Sequence, residues 1–167
     1  STAVINPNTS IVGTSAYILI SVTDANSCIN LQGDTLNLTI KKLPGSKFTG
    51  DTSVCRGSIP PVITFIGNNC TPPVTFTYTI DGGAPLTITT APGDTFITIG
   101  VPTNVPGTYS YNLIEVSDTN CSNTQNKFVT INVNTLPVAS ITGSDTVCQF
   151  APAPLITFVC DSGKPPY

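Results

Sequence analysis

The chain contains no histidine, no tryptophan and no methionine, and its single glutamate is Glu115. Without an imidazole there is no histidine base, no Ser–His or Cys–His pair and no histidine metal ligand. The six cysteines also lack the close C-x-x-C spacing that is typical of zinc sites. We therefore expect no enzyme activity, no bound metal and no cofactor.

Charge is scarce as well: charged residues make up 9% of the chain, and the formal net charge is −3. A disordered segment would carry more charge, and a nucleic-acid partner would require a basic surface. The sequence has no apolar run of the length that crosses a bilayer as a helix. We expect a folded chain that binds no nucleic acid and inserts no segment into a membrane.

A helical pattern is also missing, because no stretch keeps an apolar period of 3.6 residues. Thr, Val and Ile are abundant, and their branched β-carbons fit a pleated, half-buried surface. Gly, Pro, Asn and Asp supply turns. Alternation is clear where threonines separate Val74, Phe76, Tyr78 and Ile80. These features predict an all-β protein.

What the sequence does contain is a repeat with a period of about 93 residues. GTSAYILISVTDANSC at residues 13–28 returns as GTYSYNLIEVSDTNC at residues 107–121. LPGSKFTGDTSVC at residues 43–55 returns as LPVASITGSDTVC at residues 136–148. A fixed period indicates an array, and one of this length fits a whole sandwich domain per repeat.

The repeat divides the chain into three parts. Residues 1–42 correspond to the C-terminal half of one unit, residues 43–135 to a complete unit, and residues 136–167 to the N-terminal half of the next. We expect the chain to be a segment of a longer protein. The complete unit contains about seven strand signals separated by turns every 8–12 residues, which is the pattern of an immunoglobulin-like sandwich. The predicted fold is therefore a tandem array of immunoglobulin-like β-sandwich repeats.

Several elements within the units are predicted individually. The copy at residues 16–24 is expected to be one long strand, like residues 107–117, and residues 51–61 are expected to be a connection. Tyr109 and Tyr111 open the strand before the last, where a tyrosine corner lies in immunoglobulin-like domains; the alternative is two ordinary core aromatics.

The cysteines form two sets. One set recurs with the period: Cys28, Cys55, Cys121 and Cys148. Each unit thus owns one pair, and we predict a Cys55–Cys121 disulfide inside the complete unit, with the partners of Cys28 and Cys148 outside the chain. Cys70 and Cys160 are predicted to fall on the same turn of successive units, but they are not separated by the period. Their spacing does not decide whether they are free or form disulfides with cysteines elsewhere. Cysteine usage of this kind favours an oxidising compartment.

Four motifs together resemble a known family: VCRG at 54–57, PPVTFTYTIDGG at 72–83, PGTYSY at 106–111 and VSDTNCS at 116–122. They are similar to the immunoglobulin-like repeats of very large Bacteroidetes cell-surface proteins, the SprB-type gliding-motility adhesins and related proteins exported by the type IX system. The resemblance implies tandem sandwiches on an extracellular filament or stalk that contacts surfaces or polysaccharide. It implies no ligand site, and Tyr78 stands where tryptophan is common in SprB repeats.

The resemblance also implies O-glycosylation at Asp-Ser/Thr-apolar sites. Asp34-Thr35-Leu36 and Asp145-Thr146-Val147 match this pattern, and Asp94-Thr95-Phe96 matches it more loosely. Thr35, Thr146 and Thr95 are therefore the candidate glycan carriers. The alternative is that these residues are plain turns or strand starts.

Together these features predict a stalk or spacer segment of a long secreted cell-surface adhesin or filament. Its partners would be the neighbouring repeats of the same polypeptide, and surface polysaccharide or other cell-surface proteins. A first alternative is a carbohydrate-binding module, which requires outward aromatics in a row; Phe48, Phe96 and Phe128 are the candidates. A second alternative is a fibre subunit in which a neighbour supplies missing strands.

Overall fold

The computed structural model describes residues 2–143 and 146–166. These residues form fourteen strands and no helix, which confirms the all-β prediction. None of them belongs to a helix long and apolar enough to span a membrane. The strands are β1 (Gly13–Ile18), β2 (Ser21–Thr23), β3 (Ile29–Leu31), β4 (Thr35–Ile40), β5 (Gly45–Thr49), β6 (Thr52–Cys55), β7 (Val62–Asn68), β8 (Thr75–Ile80), β9 (Leu86–Thr89), β10 (Phe96–Gly100), β11 (Gly107–Ser117), β12 (Ser122–Asn134), β13 (Val138–Thr142) and β14 (Thr157–Ser162).

Two sheets form the centre of the molecule. One has the strand order β10-β7-β5, and the other has the order β6-β12-β11-β8-β9. All pairs in them are antiparallel except β6 and β12, which run parallel. The apolar faces of both sheets contribute to one core cluster, which is the arrangement of a β-sandwich.

Aromatic rings connect the two sheets across this core. Phe65 of β7 is 0% exposed, and its ring centroid lies 4.8 Å from Phe48, 5.4 Å from Phe76 and 5.2 Å from Tyr78. The alternation predicted for β8 is confirmed, because Val74, Phe76 and Tyr78 are all buried. Burying a phenylalanine side chain contributes roughly 1.5–3 kcal/mol, so this aromatic group stabilises the packing of the sheets.

A β-bulge interrupts β11. Its register with both neighbouring strands shifts between Leu113 and Glu115. Tyr111 and Leu113 face the core, but the next buried residue is Val116. The extra residue therefore turns Glu115 away from the core, where an unpaired carboxylate would be costly.

The segments that flank this sandwich form small ladders of their own. β1 pairs with β4, β2 with β3, and β13 with β14. Their burial patterns are mostly exposed, and every fully buried large side chain of the described residues lies between positions 44 and 133. The proposed unit boundaries at 42/43 and 135/136 stay predictions.

The flanking ladders repeat the registers of the central sheets. Gly13 lies opposite Ile40 in β1 and β4, as Gly107 lies opposite Val133 in β11 and β12. Likewise, Ile141 lies opposite Phe158, as Phe48 lies opposite Phe65. Both correspondences follow the sequence period, so the period holds for strand pairing as well as for sequence.

Three details of the sequence prediction were wrong. The single strand expected at residues 16–24 is divided into β1 and β2, with Leu19 and Ile20 between them. The connection expected at residues 51–61 contains β6, which pairs with β12. Phe48 does not face outward; it is 9% exposed and belongs to the core.

The tyrosine corner has its expected contact. The hydroxyl of Tyr109 donates to the carbonyl oxygen of Val105, four residues earlier, at 3.0 Å. Its ring lies over Gly107, where an added β-carbon would be 3.7 Å from the ring. The bond ties the loop before β11 to the strand, and it is the hydrogen bond by which a tyrosine corner is defined.

Candidate functional site

The structure contradicts the predicted Cys55–Cys121 disulfide. Both residues are free cysteines. Cys55 lies opposite Asn134, the last residue of β12, whereas Cys121 directly precedes Ser122, the first residue of that strand. A strand of 13 residues is about 40 Å long at 3.3 Å per residue. Disulfide bonding requires Cα atoms within about 7 Å, so this pair cannot form within one unit.

The two cysteines mark opposite ends of the sandwich. We call the end with Cys121 and Pro44 the proximal end, because the chain enters the sandwich there. We call the end with Cys55 and Asn134 the distal end, because the chain leaves it there. Cys28 and Cys148, like Cys55, are exposed and free, so the predicted partners outside the chain stay a prediction.

A hydrogen-bond network around Asp118 organises the proximal end. Oδ1 of Asp118 accepts the backbone N–H groups of Asn120 and Cys121, each at 2.8 Å. Oδ2 accepts the N–H of Thr71, also at 2.8 Å. The carboxylate thus closes its own turn and joins it to the loop before β8. Aspartate suits this place because a short carboxylate accepts nearby backbone donors.

The charge of Asp118 is stabilised by these donors. Partial burial raises the pKa of its carboxyl, but the N–H groups of Thr71, Asn120 and Cys121 and the charge of Lys41 outweigh it, so the pKa lies below its ordinary value. Burial, assisted by the negative charge of Asp118, raises the pKa of the Cys70 thiol. Cys70 therefore stays protonated to higher pH than an ordinary cysteine.

The first repeat contains the same turn. Oδ1 of Asp24 accepts the N–H groups of Asn26 and Cys28, each at 2.9 Å. The hydrogen bonds from Cys28 and Asn26 hold the pKa of Asp24 below its ordinary value. A second turn is also shared, since the carbonyl of Cys55 accepts from Ser58 and that of Cys148 accepts from Ala151.

The prediction that Cys70 and Cys160 fall on the same turn was wrong, because Cys160 lies within β14 whereas Cys70 follows the end of β7. Their sulfur atoms nevertheless lie at equivalent sites. Sγ of Cys70 contacts the carbonyl oxygens of Gly45 and Asn68, and Sγ of Cys160 contacts those of Val138 and Ser162. One period after Gly67 stands Cys160, and one period after Cys70 stands Gly163, so glycine and cysteine have exchanged places between the units. A β-carbon added to Gly67 would lie 2.9 Å from Sγ of Cys70, so glycine at position 67 leaves room for the Cys70 sulfur.

The candidate glycan carriers lie in different environments. Thr35 is exposed at the first position of β4, and Thr146 is exposed as well. Asp145, which precedes Thr146, lies outside the described residues. Thr95 is half-buried, and its carbonyl accepts the N–H of Gly67 at 2.7 Å. Glycosylation at these three threonines stays a prediction.

The outward aromatics form no row. Phe96 is 58% exposed and Phe128 is 69% exposed, but Phe96 belongs to the three-stranded sheet and Phe128 to the five-stranded one. Their rings therefore project from opposite faces of the sandwich. A cavity of about 380 Å³ lies instead in the first repeat, between residues that include Ile5, Tyr17 and Leu36.

Within residues 2–143 and 146–166, no three side chains of the metal-binding types come close enough together to hold an ion. The sequence predicts that aspartates supply turns, but it did not predict the contact of Asp118 with Thr71. No local signal marks it, because the two residues are 47 positions apart.

Comparison with profiles of known protein families finds no match. A search of curated proteins likewise finds no match.

Proposed function

We propose that this chain is a stalk or spacer segment of a long secreted cell-surface adhesin or filament, built from tandem immunoglobulin-like sandwiches and without enzyme activity. The observation that carries the proposal is the repeated register. The pairing of β1 with β4 copies that of β11 with β12, and the pairing of β13 with β14 copies that of β5 with β7. A chain that repeats its strand pairing as well as its sequence can be extended unit by unit, which suits a long and stiff stalk.

Two further features support an immunoglobulin-like unit. The sheets contain three and five strands around one core, and Tyr109 bonds back to Val105 at the start of β11. The linker after the sandwich is short and contains Pro137, which restricts the residue before it to extended geometry. Six cysteines with few charged residues agree with an extracellular place for such an array.

Surface exposure and ligand binding test this proposal together. Antibodies against the 167-residue chain should label intact producing cells, and protease treatment of those cells should remove the label. Deleting one period in frame from the gene should shorten the surface structure without abolishing its attachment. Label confined to permeabilised cells would contradict the proposal. Saturable binding of a defined glycan to the isolated chain would favour the carbohydrate-binding module instead.

A strand-exchanging fibre subunit is the second candidate, and the flanking ladders favour it. Ile18, Leu36, Ile141 and Phe158 all lie on ladders of two strands and are more than half exposed. Isolated two-stranded ladders are marginally stable in water, so an added strand would stabilise them. Light scattering during size-exclusion chromatography decides between the two: a spacer segment elutes as a monomer, and a strand-exchanging subunit forms oligomers that grow with concentration.

A further inference from the structure

The two periodic cysteines of a unit lie at its two ends, and each end faces a neighbour in the array. Cys55 is exposed at the distal end beside Asn134, and the N–H of Arg56 donates to the carbonyl of Asn134 at 2.8 Å. Cys121 is half-buried at the proximal end, where the side chain of Asn123 donates to the carbonyl of Pro44 at 2.8 Å. Both cysteines thus lie next to a linker.

The chain also contains one junction between units, and Lys41 shows how close the two ends are. Lys41 stands one period before Asn134, so it marks the distal end of the first repeat. Its Nζ donates to Oδ1 of Asn120 at 2.8 Å. Asn120 directly precedes Cys121. The distal end of one unit therefore touches the turn that carries the proximal cysteine of the next unit.

From these positions we propose that a disulfide links successive units, joining the Cys55 position of one unit to the Cys121 position of the following unit. The proposal rests on the tandem array proposed above. In the central sandwich, Asn134 lies opposite Cys55, so the Cys55 position of the first repeat would lie opposite Lys41. That residue would lie one strand away from Lys41, whose ammonium group contacts the turn of Asn120.

This pairing accounts for all four periodic cysteines. The first repeat contributes only a residue of the Cys121 type, Cys28, and the last contributes only one of the Cys55 type, Cys148. Cys55 would bond to the following unit, and Cys121 to the preceding one. No such pair is complete within these 167 residues.

The bond forms by thiol–disulfide exchange with a low-molecular-weight disulfide such as oxidised glutathione. One cysteine thiolate attacks that disulfide, its S–S bond breaks, and one small thiol leaves with a proton. The second cysteine thiolate then attacks the mixed disulfide and releases the second small thiol. Two protein thiols are oxidised, and one small disulfide is reduced to two thiols.

The consequence is mechanical. A covalent link beside each linker limits bending at the joint, and it carries tension past the linker when the array is pulled. It also shortens the chain that can extend if one sandwich unfolds, since the ends of neighbouring units remain joined. Cys70, whose thiol contacts the carbonyl oxygens of Gly45 and Asn68, remains reduced in this scheme.

The first test uses the full chain with one substitution. In Lys41→Cys, a thiol replaces the side chain whose ammonium group contacts Asn120 in the turn before Cys121. In a glutathione redox buffer we expect it to bond to Cys121 in at least tenfold higher yield than in the control Lys47→Cys, which replaces another exposed lysine. Peptide mapping without reductant measures both yields. Equal yields would overturn the proposed proximity of the two ends.

The second test supplies the native partner. In a chain with residues 43–135 duplicated in tandem, Cys55 of the first copy should link to Cys121 of the second, with loss of two hydrogen atoms by intact mass. Changing Cys121 of the second copy to serine should abolish this link, and Cys70→Ser should not. A Cys70–Cys121 link, or no link between copies, overturns the proposal. Surface labelling of cells is independent of both results, so failure here leaves the spacer function standing.

Discussion

The backbone nitrogen of Thr71 lies 2.8 Å from Oδ2 of Asp118, and this contact joins two loops that are 47 residues apart. The other oxygen of the same carboxylate closes the turn before Cys121. The proximal end of the sandwich thus depends on one side chain with three backbone donors. It lies beside Asn120, whose side chain accepts a hydrogen bond from Lys41, a residue that precedes the central sandwich.

Replacing Asp118 by alanine should lower the free energy of unfolding by about 1–2 kcal/mol, because three N–H groups lose their acceptor. Urea denaturation at pH 7 measures the change. Asp94→Ala, at an exposed turn, is the control and should change stability by less than about 0.5 kcal/mol. A loss as small as that of the control would mean that water replaces the carboxylate without cost.

The same carboxylate predicts a pH dependence. Because its pKa in the folded protein is lowered below its ordinary value, the folded state holds the proton less tightly than the unfolded state. Its contribution is therefore present above the unfolded pKa of about 3.9 and is lost as the pH falls through the lower folded value. The stability difference between the native chain and Asp118→Ala should shrink below about pH 4. A difference that persists at lower pH contradicts this assignment.

Phe65 and Phe158 provide a matched pair, since they occupy the same register position one period apart. Phe65 is 0% exposed, and Phe158 is 77% exposed. Phe65→Ala should cost about 3–5 kcal/mol through lost burial and a cavity among aromatic rings. Phe158→Ala should cost less than about 0.5 kcal/mol in the same urea titration. Equal losses would show that the last repeat buries Phe158 in solution.

The exchange of glycine and cysteine between units predicts a compensated double mutant. Gly67→Cys alone should destabilise the sandwich, because its β-carbon meets Sγ of Cys70 at 2.9 Å. Adding Cys70→Gly removes this contact and leaves the longer ones to Val74 and to the Thr95 carbonyl, at 3.2 and 3.3 Å. We expect a favourable coupling of about 1–3 kcal/mol in a double-mutant cycle. Additive effects would show that the two positions do not share one sulfur site.

Tyr109→Phe removes one hydroxyl and keeps the ring over Gly107. The carbonyl of Val105 then loses its donor, and the unfolding free energy should fall by about 1 kcal/mol. Tyr17→Phe, a half-buried tyrosine on β1, is the control and should have a smaller effect. If both substitutions are neutral, the hydrogen bond to Val105 contributes nothing measurable.

The alternation of apolar and polar residues was sufficient to predict which side chains face the core in much of the sandwich. Val74, Phe76 and Tyr78 were predicted to share a face, and all three are buried. The reason is local: successive side chains of a strand point to opposite faces, so every second residue meets the core whatever the strand pairs with. The predicted ends of β11 also match the structure, since Gly107 and Ser117 adjoin turn residues.

Features that depend on distant partners were not predicted. A strict alternation along β11 would place Glu115 next to Leu113 on the core face, but the bulge substitutes Val116. The β6 strand looks like a connection because its four residues gain order only through the parallel pairing with β12. The contact between Asp118 and Thr71 was also not predicted, because it joins residues that are distant in the sequence.

By itself, the sequence determined that this protein is built from strands and that its motifs recur with one period. Both properties depend only on the order of residues along the chain. Only the tertiary structure decided where the recurring cysteines lie. Cys55 and Cys121 form a pair in the sequence, yet β12 separates them by its whole length. Distances across a sheet depend on which strands pair and in which direction, and the spacing of residues along the chain does not contain that information.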